Sequence, residues 1–250
     1  MAADPWADRV ISFSAGTGGT PGYTNPAATL GSPERVTGEG FGFPGSVTPF
    51  NTPFGTDEIV SIGAGGSLTL AFDEPVTNDA ANPFGIDLLV FGNAFFYDAF
   101  FAPVATLLSD DGGTIEVSAD GMDWTLVPSQ SADGLFPTLG FADELNPFGG
   151  AAGLVPTDFT KPVDPSFNWV GADLPQLIAG YAGSGGGSGI DIGAVGLSSV
   201  SFVRFSFGPG GAANFEIDAV ADVSPIPGPG GVTALSVALL LATRRRRGTT

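Results

Sequence analysis

Hydrophobic and polar residues alternate along several short segments of this 250-residue chain, and Gly, Pro, Asn or Asp bounds most of these segments. In Ser67–Phe72, for example, Leu68, Leu70 and Phe72 all fall on one side of an extended chain. A period of two is typical of a strand with one buried face. The segments with strand character are Arg9–Ser14, Ser67–Phe72, Ile86–Phe91, Thr114–Ser118, Trp124–Val127, Val200–Phe207 and Phe215–Val223. The pattern therefore predicts an all-β fold built from antiparallel sheets.

Helical periodicity is weak, and the best candidate is the stretch 172–181. A glycine-rich run at 183–189 follows it, and strand-like segments resume after that run. We therefore interpret the run as a loop inside one domain rather than a linker between two. The first 224 residues are predicted to form a single two-sheet β-sandwich, a size that suits one all-β domain.

Charge and composition narrow the chemistry. The chain has 26 acidic and eight basic residues, four of them in the block 244–247, and removing that block from a net charge of −18 leaves −22. A field of this sign repels nucleic acid, so no nucleic-acid partner is expected. Cys and His are both absent, which excludes disulfides, zinc sites built on those residues and a histidine base.

The last 26 residues differ in composition from the rest. A Pro/Gly stretch is followed by an apolar run at 231–243 and then by four arginines. Thirteen residues make a helix of only about 20 Å, but arginine side chains can snorkel to the interface and extend its span. Because positive flanks remain cytoplasmic, the first 224 residues are expected to lie on the outer side of the membrane.

This tail resembles the PEP-CTERM sorting signal of bacteria with exosortase systems, in a proline-rich form similar to planctomycete-like sequences. The residues that carry the resemblance are Pro225, Pro227, Gly228, Pro229, Arg244, Arg245, Arg246 and Arg247. In that signal Pro-Glu-Pro precedes the helix, where this chain has Pro-Gly-Pro. The resemblance implies an exosortase-like processing enzyme as partner, a short transmembrane helix as anchor before processing, and a mature protein at the cell surface or in extracellular polymer. Since 1–8 lack a basic and an apolar region, we expect the secretory signal upstream of Met1.

The remaining motifs together resemble a bacterial surface domain with the galactose-binding-like jelly-roll fold. They are GGSLTLAFD (65–73), GIDLLVFGN (85–93), SADGMDW (118–124), GIDI (189–192), FVRF (202–205) and FEIDAV (215–220). The family often has Glu immediately before Asn93, where this chain has Gly92. The resemblance implies an antiparallel jelly-roll-like sandwich, loop-end binding of carbohydrate, protein or membrane surfaces, and in many relatives a structural calcium.

Oxygen-bearing side chains at strand ends are candidate ligands for Ca²⁺, which takes six to eight oxygens. The candidates are Asp87, Asn93, Asp191, Glu216 and Asp218. A carboxylate beside apolar neighbours is costly to bury unless it is paired, and few cations are available to pair with it. The alternative is that strand alternation points these acids into solvent. A second group, Asp110, Asp111, Asp120 and Asp123, is interpreted as solvated turn residues.

An aromatic run supplies the candidate ligand-binding residues Phe95, Phe96 and Tyr97. Aromatic rings on a loop can stack on sugar rings, but the same residues can close one end of a core. A glycosidase would need two carboxylates at a defined separation, and no pair is singled out. The hypothesis is a non-catalytic, exported surface or matrix protein that acts in adhesion or polymer assembly. A lectin-like carbohydrate-binding module is the alternative.

Overall fold

The computed structural model describes residues 4–38, 44–100, 102–209 and 214–223, so the predicted sorting signal at 225–250 lies outside the described residues. The strands are β1 (Arg9–Ser14), β2 (Val36–Thr37), β3 (Gly45–Ser46), β4 (Val60–Gly63), β5 (Ser67–Thr77), β6 (Leu88–Gly92), β7 (Phe95–Tyr97), β8 (Val104–Ala105), β9 (Leu107–Ser109), β10 (Thr114–Ser118), β11 (Thr125–Leu126), β12 (Ala172–Asp173), β13 (Ser188–Ile190), β14 (Ser199–Ser206) and β15 (Asn214–Asp222). One α-helix, α1 (Leu174–Tyr181), and two 3₁₀ turns, Pro26–Thr29 and Pro83–Gly85, complete the described elements.

The strands form two main antiparallel sheets, which confirms the predicted all-β fold. The five-stranded sheet has the order β1-β5-β14-β10-β11, and the four-stranded sheet has the order β13-β6-β15-β4. Three two-stranded ladders, β2–β3, β7–β9 and β8–β12, are also antiparallel. At the outer edge of the five-stranded sheet, β1 has a register shift between Val10 and Ser12, and β11 at the opposite edge has only two residues.

Alternation along the strands builds the main core between the two sheets. On β14, Val203 and Phe205 are fully buried, whereas Phe202 and Arg204 are partly exposed. The inward residues of the five-stranded sheet pack against those of the four-stranded sheet, such as Ile217 on β15, in one cluster. Burying each large apolar side chain contributes about 1.5–3 kcal/mol, which makes this interface the main source of stability.

The four-stranded sheet is covered on its outer face as well. Its two central strands are buried almost throughout, a pattern typical of strands with both faces covered. Outward residues such as Leu89 and Ala219 pack with Phe159 from a segment outside both sheets. The rings of Phe91 and Phe159 meet edge to face at 5.4 Å. The part of the chain that lies between β11 and β13 in sequence therefore forms a third layer.

That third layer contains α1 and a second core. Asp173 accepts a hydrogen bond from the backbone N–H of Gln176 at 3.0 Å, and the Gln176 side chain accepts one from the N–H of Asp173. This capping box starts the helix, while Leu174, Leu177 and Tyr181 face inward. The helix begins two residues later than the predicted 172–181, because Ala172 and Asp173 pair with β8.

Each strand predicted from alternation has a counterpart, whereas β4 and β13 of the main sheets and the six short strands of the two-stranded ladders were not predicted. The glycine run at 183–189 lies inside the fold, as predicted for a loop, and its last residues enter β13. A Cβ on Gly185 would lie 2.0 Å from the Phe159 ring, so the missing side chain admits that ring. Among the described residues, no helix has the length and apolar character needed to cross a membrane.

Candidate metal centre

Three carboxylates from distant parts of the chain meet at one end of the sandwich. Asp111 follows β9, Asp133 lies in the loop after β11, and Glu216 is on β15; an oxygen of each lies within 4.8 Å of the others. Asp133 is fully buried and Glu216 is 5% exposed, whereas Asp111 is exposed. The cluster thus has a buried floor and one side open to solvent.

Backbone contacts fix the position of Asp133. Its N–H donates to the carbonyl of Gly112 at 3.0 Å, and its Oδ1 accepts the N–H of Ala94 at 2.6 Å. A Cβ on Gly92 would lie 2.4 Å from that Oδ1. Asp133 therefore occupies the volume that a side chain at position 92 would need.

Glu216 has one oxygen held by the protein and one turned towards the cluster. Its Oε1 accepts hydrogen bonds from the Asn214 amide and from Thr20 Oγ1, the latter at 3.5 Å. The Asn214 amide also donates to Ser61 Oγ at 2.8 Å, which ties this arrangement to β4. The carboxylate plane is therefore set, with Oε2 directed at Asn93.

Asn93 is 7% exposed and its amide points into the cluster. In one orientation Oδ1 lies 3.2 Å from both Asp133 Oδ2 and Glu216 Oε2, so three acceptor oxygens face one another. With the amide turned over, Nδ2 donates to both carboxylates. Ca²⁺ ligands at about 2.4 Å and at right angles are themselves about 3.4 Å apart. The first orientation would add an amide oxygen to a cation site but leaves Nδ2 facing only donors, whereas the second satisfies both amide atoms without a cation.

No cationic side chain of the described residues compensates this cluster. Arg9 pairs with Asp73 and Arg204 with Glu116, each at 2.8 Å. Arg35 stacks on Phe159 and donates to backbone oxygens, and Lys161 Nζ donates to the carbonyl of Ala182. Desolvation, together with the neighbouring carboxylates, raises the pKa of Asp133 well above its usual range and raises that of Glu216. A divalent cation would remove this cost.

The raised pKa values predict that acidification stabilises the cation-free protein. Desolvation raises the pKa of Asp133, Glu216 and Asp218, and raises that of Asp222 to about 6. Such groups bind more protons in the folded than in the unfolded state, so stability increases as pH falls from about 7 towards 5. Urea unfolding in EDTA should show this trend, and Ca²⁺ should flatten it by competing with protons. A fall in stability over this window in EDTA would contradict the prediction.

The sequence placed Asn93 and Glu216 in a metal site with Asp87, Asp191 and Asp218, but those three acids lie elsewhere. Asp87 is fully buried, and its carboxylate accepts the N–H groups of Asp79 and Ile192 at 3.1 Å and the Asn82 amide at 2.9 Å. It is satisfied by the protein. Its position connects the loop before β6 to the end of β13.

Asp218 and Asp191 occupy two further environments. Asp218 is buried near Glu34 and Glu58, and its Oδ2 accepts the N–H of Glu34 at 3.1 Å. Asp191 is partly exposed and accepts the N–H of Ala194 at 2.8 Å. The five predicted ligands therefore occupy four separate places in the described structure.

The acidic turn residues also separate. Asp120 accepts the backbone N–H groups of Met122 and Asp123, and Asp110 accepts that of Gly112, as turn residues do. Asp111 alone of that group joins the cluster. Asp133 carried no strand-end signal in the sequence. Its only signal is the Asp-Gly pair at 133–134, which predicts a turn rather than a ligand.

The aromatic run is divided between core and surface. Phe96 is 1% exposed and stacks on Trp169 at 4.6 Å in the second core. Phe95 and Tyr97 are half-buried on the opposite side of β7, and the centroids of their rings are 5.9 Å apart. Of the three predicted ligand-binding rings, these two reach solvent.

Comparison with known proteins adds no relative. No protein-family model matches the sequence, and no curated protein is significantly similar to it. The geometry and chemistry of the described residues are therefore the basis for a function.

Proposed function

We propose that this chain is a non-catalytic, exported surface or matrix protein whose β-sandwich is stabilised by a Ca²⁺ ion. The observation that carries the proposal is the convergence of Asn93, Asp133 and Glu216 on one point, with Asp111 beside it. A jelly-roll-like sandwich with a cation near its loop ends suits a rigid adhesive or scaffolding unit. The same architecture would serve a lectin-like module.

The donor set favours Ca²⁺ over other cations. The site offers carboxylate and amide oxygens without His or Cys, which selects hard cations over zinc or copper. Its exposed side at Asp111 leaves room for water ligands. Mg²⁺ demands near-ideal octahedral geometry at about 2.0–2.1 Å, whereas Ca²⁺ accepts an irregular set. Bound Ca²⁺ would supply charge compensation and crosslink β15 to the three loops that carry Asn93, Asp111 and Asp133.

Thermal unfolding of the full chain tests the site. With Ca²⁺ at about 1 mM and a Kd a hundredfold lower, binding stabilises the folded state by about 2.7 kcal/mol. For a chain of this size the melting temperature should rise by roughly 5–10 °C relative to EDTA. Mg²⁺ at the same concentration should give a much smaller rise.

Asp133→Asn is the decisive variant, and Asp123→Asn in the exposed turn is its control. Asp133→Asn should abolish the rise with Ca²⁺ and leave the melting temperature in EDTA at least as high as in the parent protein, because a buried uncompensated charge is removed. Asp123→Asn should respond like the parent protein. A rise that survives Asp133→Asn would rule out this site.

Surface display is proposed from the resemblance of the tail to a sorting signal. We expect intact mass to show a mature protein in the envelope or medium that lacks the residues beyond the proline-rich motif. Replacing 244–247 with glutamine should leave an unprocessed form in the membrane fraction, because the positive flank orients the helix. Full-length protein recovered only from the cytoplasm would contradict surface display.

A further inference from the structure

An open groove of about 640 Å³ lies along the edge strand β13 of the four-stranded sheet and is also lined by residues from 84–89, 110–113, 129–136 and 162–165. Its volume lies within the range of about 300–1,000 Å³ found for small-molecule sites. We call it the outer groove. Side chains that line it include Phe84, Asp110, Gln130, Phe136, Pro165 and Asp191.

The groove presents an exposed aromatic ring, carried by a residue with an unusual backbone conformation. Phe84 is 55% exposed and has a φ of +59°, a left-handed conformation that is unusual for a bulky residue. Ser129, which also lines the groove, has a φ of +63°. Only one other non-glycine residue of the described part has a positive φ, namely Ala182 at the end of α1. Such strain costs about 1–3 kcal/mol per residue and is concentrated at binding sites.

A carboxylate lines the same groove as Phe84. Asp191 Oδ1 accepts the N–H of Ala194 at 2.8 Å, which fixes the side chain. Its Oδ2 lies 3.2 Å from the point where a Cβ on Gly85 would be, so the missing side chain after Phe84 leaves space next to that oxygen. The groove is thus lined by an exposed aromatic ring and by a carboxylate held next to the residue that follows it.

The other polar lining groups extend the same chemistry. Gln130 offers an amide, Ser129 and Ser131 offer hydroxyls, and Asp110 offers a second carboxylate. Asp110 Oδ1 accepts hydrogen bonds from Ser131 Oγ at 2.7 Å and from the N–H of Gly112 at 2.8 Å. Among the described residues, no Lys or Arg lines the groove. Two carboxylates without a cation disfavour anionic ligands and suit hydroxyl donors, which form strong bonds to carboxylates.

We propose that the outer groove binds a neutral saccharide, with Phe84 against the C–H face of a sugar ring and Asp191 accepting hydrogen bonds from its hydroxyls. Sugars combine an apolar face with a rim of hydroxyl donors, the combination that this lining complements. The inference deepens the proposed function by naming a ligand class, and it rests on that function for the extracellular setting. It also differs from the sequence-based hypothesis, which assigned sugar binding to Phe95, Phe96 and Tyr97.

Affinity electrophoresis of the full chain tests the groove in native gels containing soluble galactomannan, xyloglucan, hydroxyethylcellulose or dextran. At least one neutral polymer should retard the protein. Phe84→Ala should weaken that retardation by about tenfold, the upper range of a stacking contribution, and Asp191→Asn should weaken it severalfold. The matched control is Phe100→Ala, which removes a ring that is 89% exposed and lies outside the groove.

Three results would overturn the groove proposal: no retardation by any neutral polymer, retardation unchanged by Phe84→Ala, or binding of polygalacturonate or a lysine-rich peptide instead. Retardation lost in Tyr97→Ala but kept in Phe84→Ala would assign the sugar to the aromatic run. Melting the same samples with Ca²⁺ and EDTA reports the metal site separately. Sugar binding without a rise in melting temperature on adding Ca²⁺ would refute the metal site and support the groove. A rise with Ca²⁺ but no sugar binding would support the metal site and refute the groove.

Discussion

Replacing Asp87 with alanine is expected to lower the free energy of unfolding by about 3–5 kcal/mol while leaving the response to Ca²⁺ intact. The carboxylate is fully buried and accepts three hydrogen bonds, from the N–H groups of Asp79 and Ile192 and the amide of Asn82. Without the carboxylate these three donors have no acceptor, and the link between the loop before β6 and the end of β13 is lost. Urea unfolding with and without Ca²⁺ measures both quantities.

The matched control is Asp191→Ala, which removes a partly exposed carboxylate that accepts one backbone N–H. We expect a loss of about 0.5–1.5 kcal/mol there, the usual net value of one hydrogen bond. A loss below about 1 kcal/mol in Asp87→Ala, or disappearance of its Ca²⁺ response, would refute the structural role. The second of these results would return Asp87 to the set of metal ligands.

Replacing Gly92 with alanine is expected to eliminate the rise in melting temperature with Ca²⁺ and to destabilise the protein in EDTA by about 1–3 kcal/mol, as overpacking does. The new Cβ would lie 2.4 Å from Asp133 Oδ1 and 2.7 Å from the backbone oxygen of Glu216. The backbone oxygen of Glu216 cannot swing away, so the side chain of Asp133 must move to make room for the new Cβ. Calorimetry with Ca²⁺ or EDTA measures both effects.

Gly208→Ala is the control for this substitution. A Cβ at Gly208 would have no neighbour within 4 Å, so the same chemical change should leave the stability and the Ca²⁺ response nearly unaltered. If Gly92→Ala kept the full response, the carboxylate of Asp133 would not be needed in its present position. The proposed coordination would then be wrong.

The main sandwich could be predicted because its strands alternate between a buried and an exposed face. Val203 and Phe205 alternate with Phe202 and Arg204 in the sequence, and the structure buries the first pair and leaves the second partly exposed. β13 escaped prediction because it begins within a glycine run, where side chains give no pattern. The third layer escaped because its contacts, such as Phe159 on Phe91, join residues far apart in sequence.

The candidate site could be predicted only in part, for a related reason. Asn93 directly follows β6 and Glu216 is the third residue of β15, so a strand pattern in the sequence can draw attention to both. Asp133 comes from an irregular loop, and only the fold shows that it fills the space beside Gly92. Asp87 has the same local pattern as a ligand but meets three protein donors. Sequence identifies acids that need a partner, and tertiary contacts decide which partner they obtain.

Three of the four sheet edges affect how copies of this chain would meet at high concentration. The outer edge of β4 is occupied, since the N–H of Ser61 donates to Tyr23 and that of Gly63 to Ala15. β1 is interrupted by its register shift and β11 offers two residues. Long regular edges are the template for intermolecular strand addition, and bulged or short ones resist it. These three edges therefore offer little template for amyloid-like aggregation between copies.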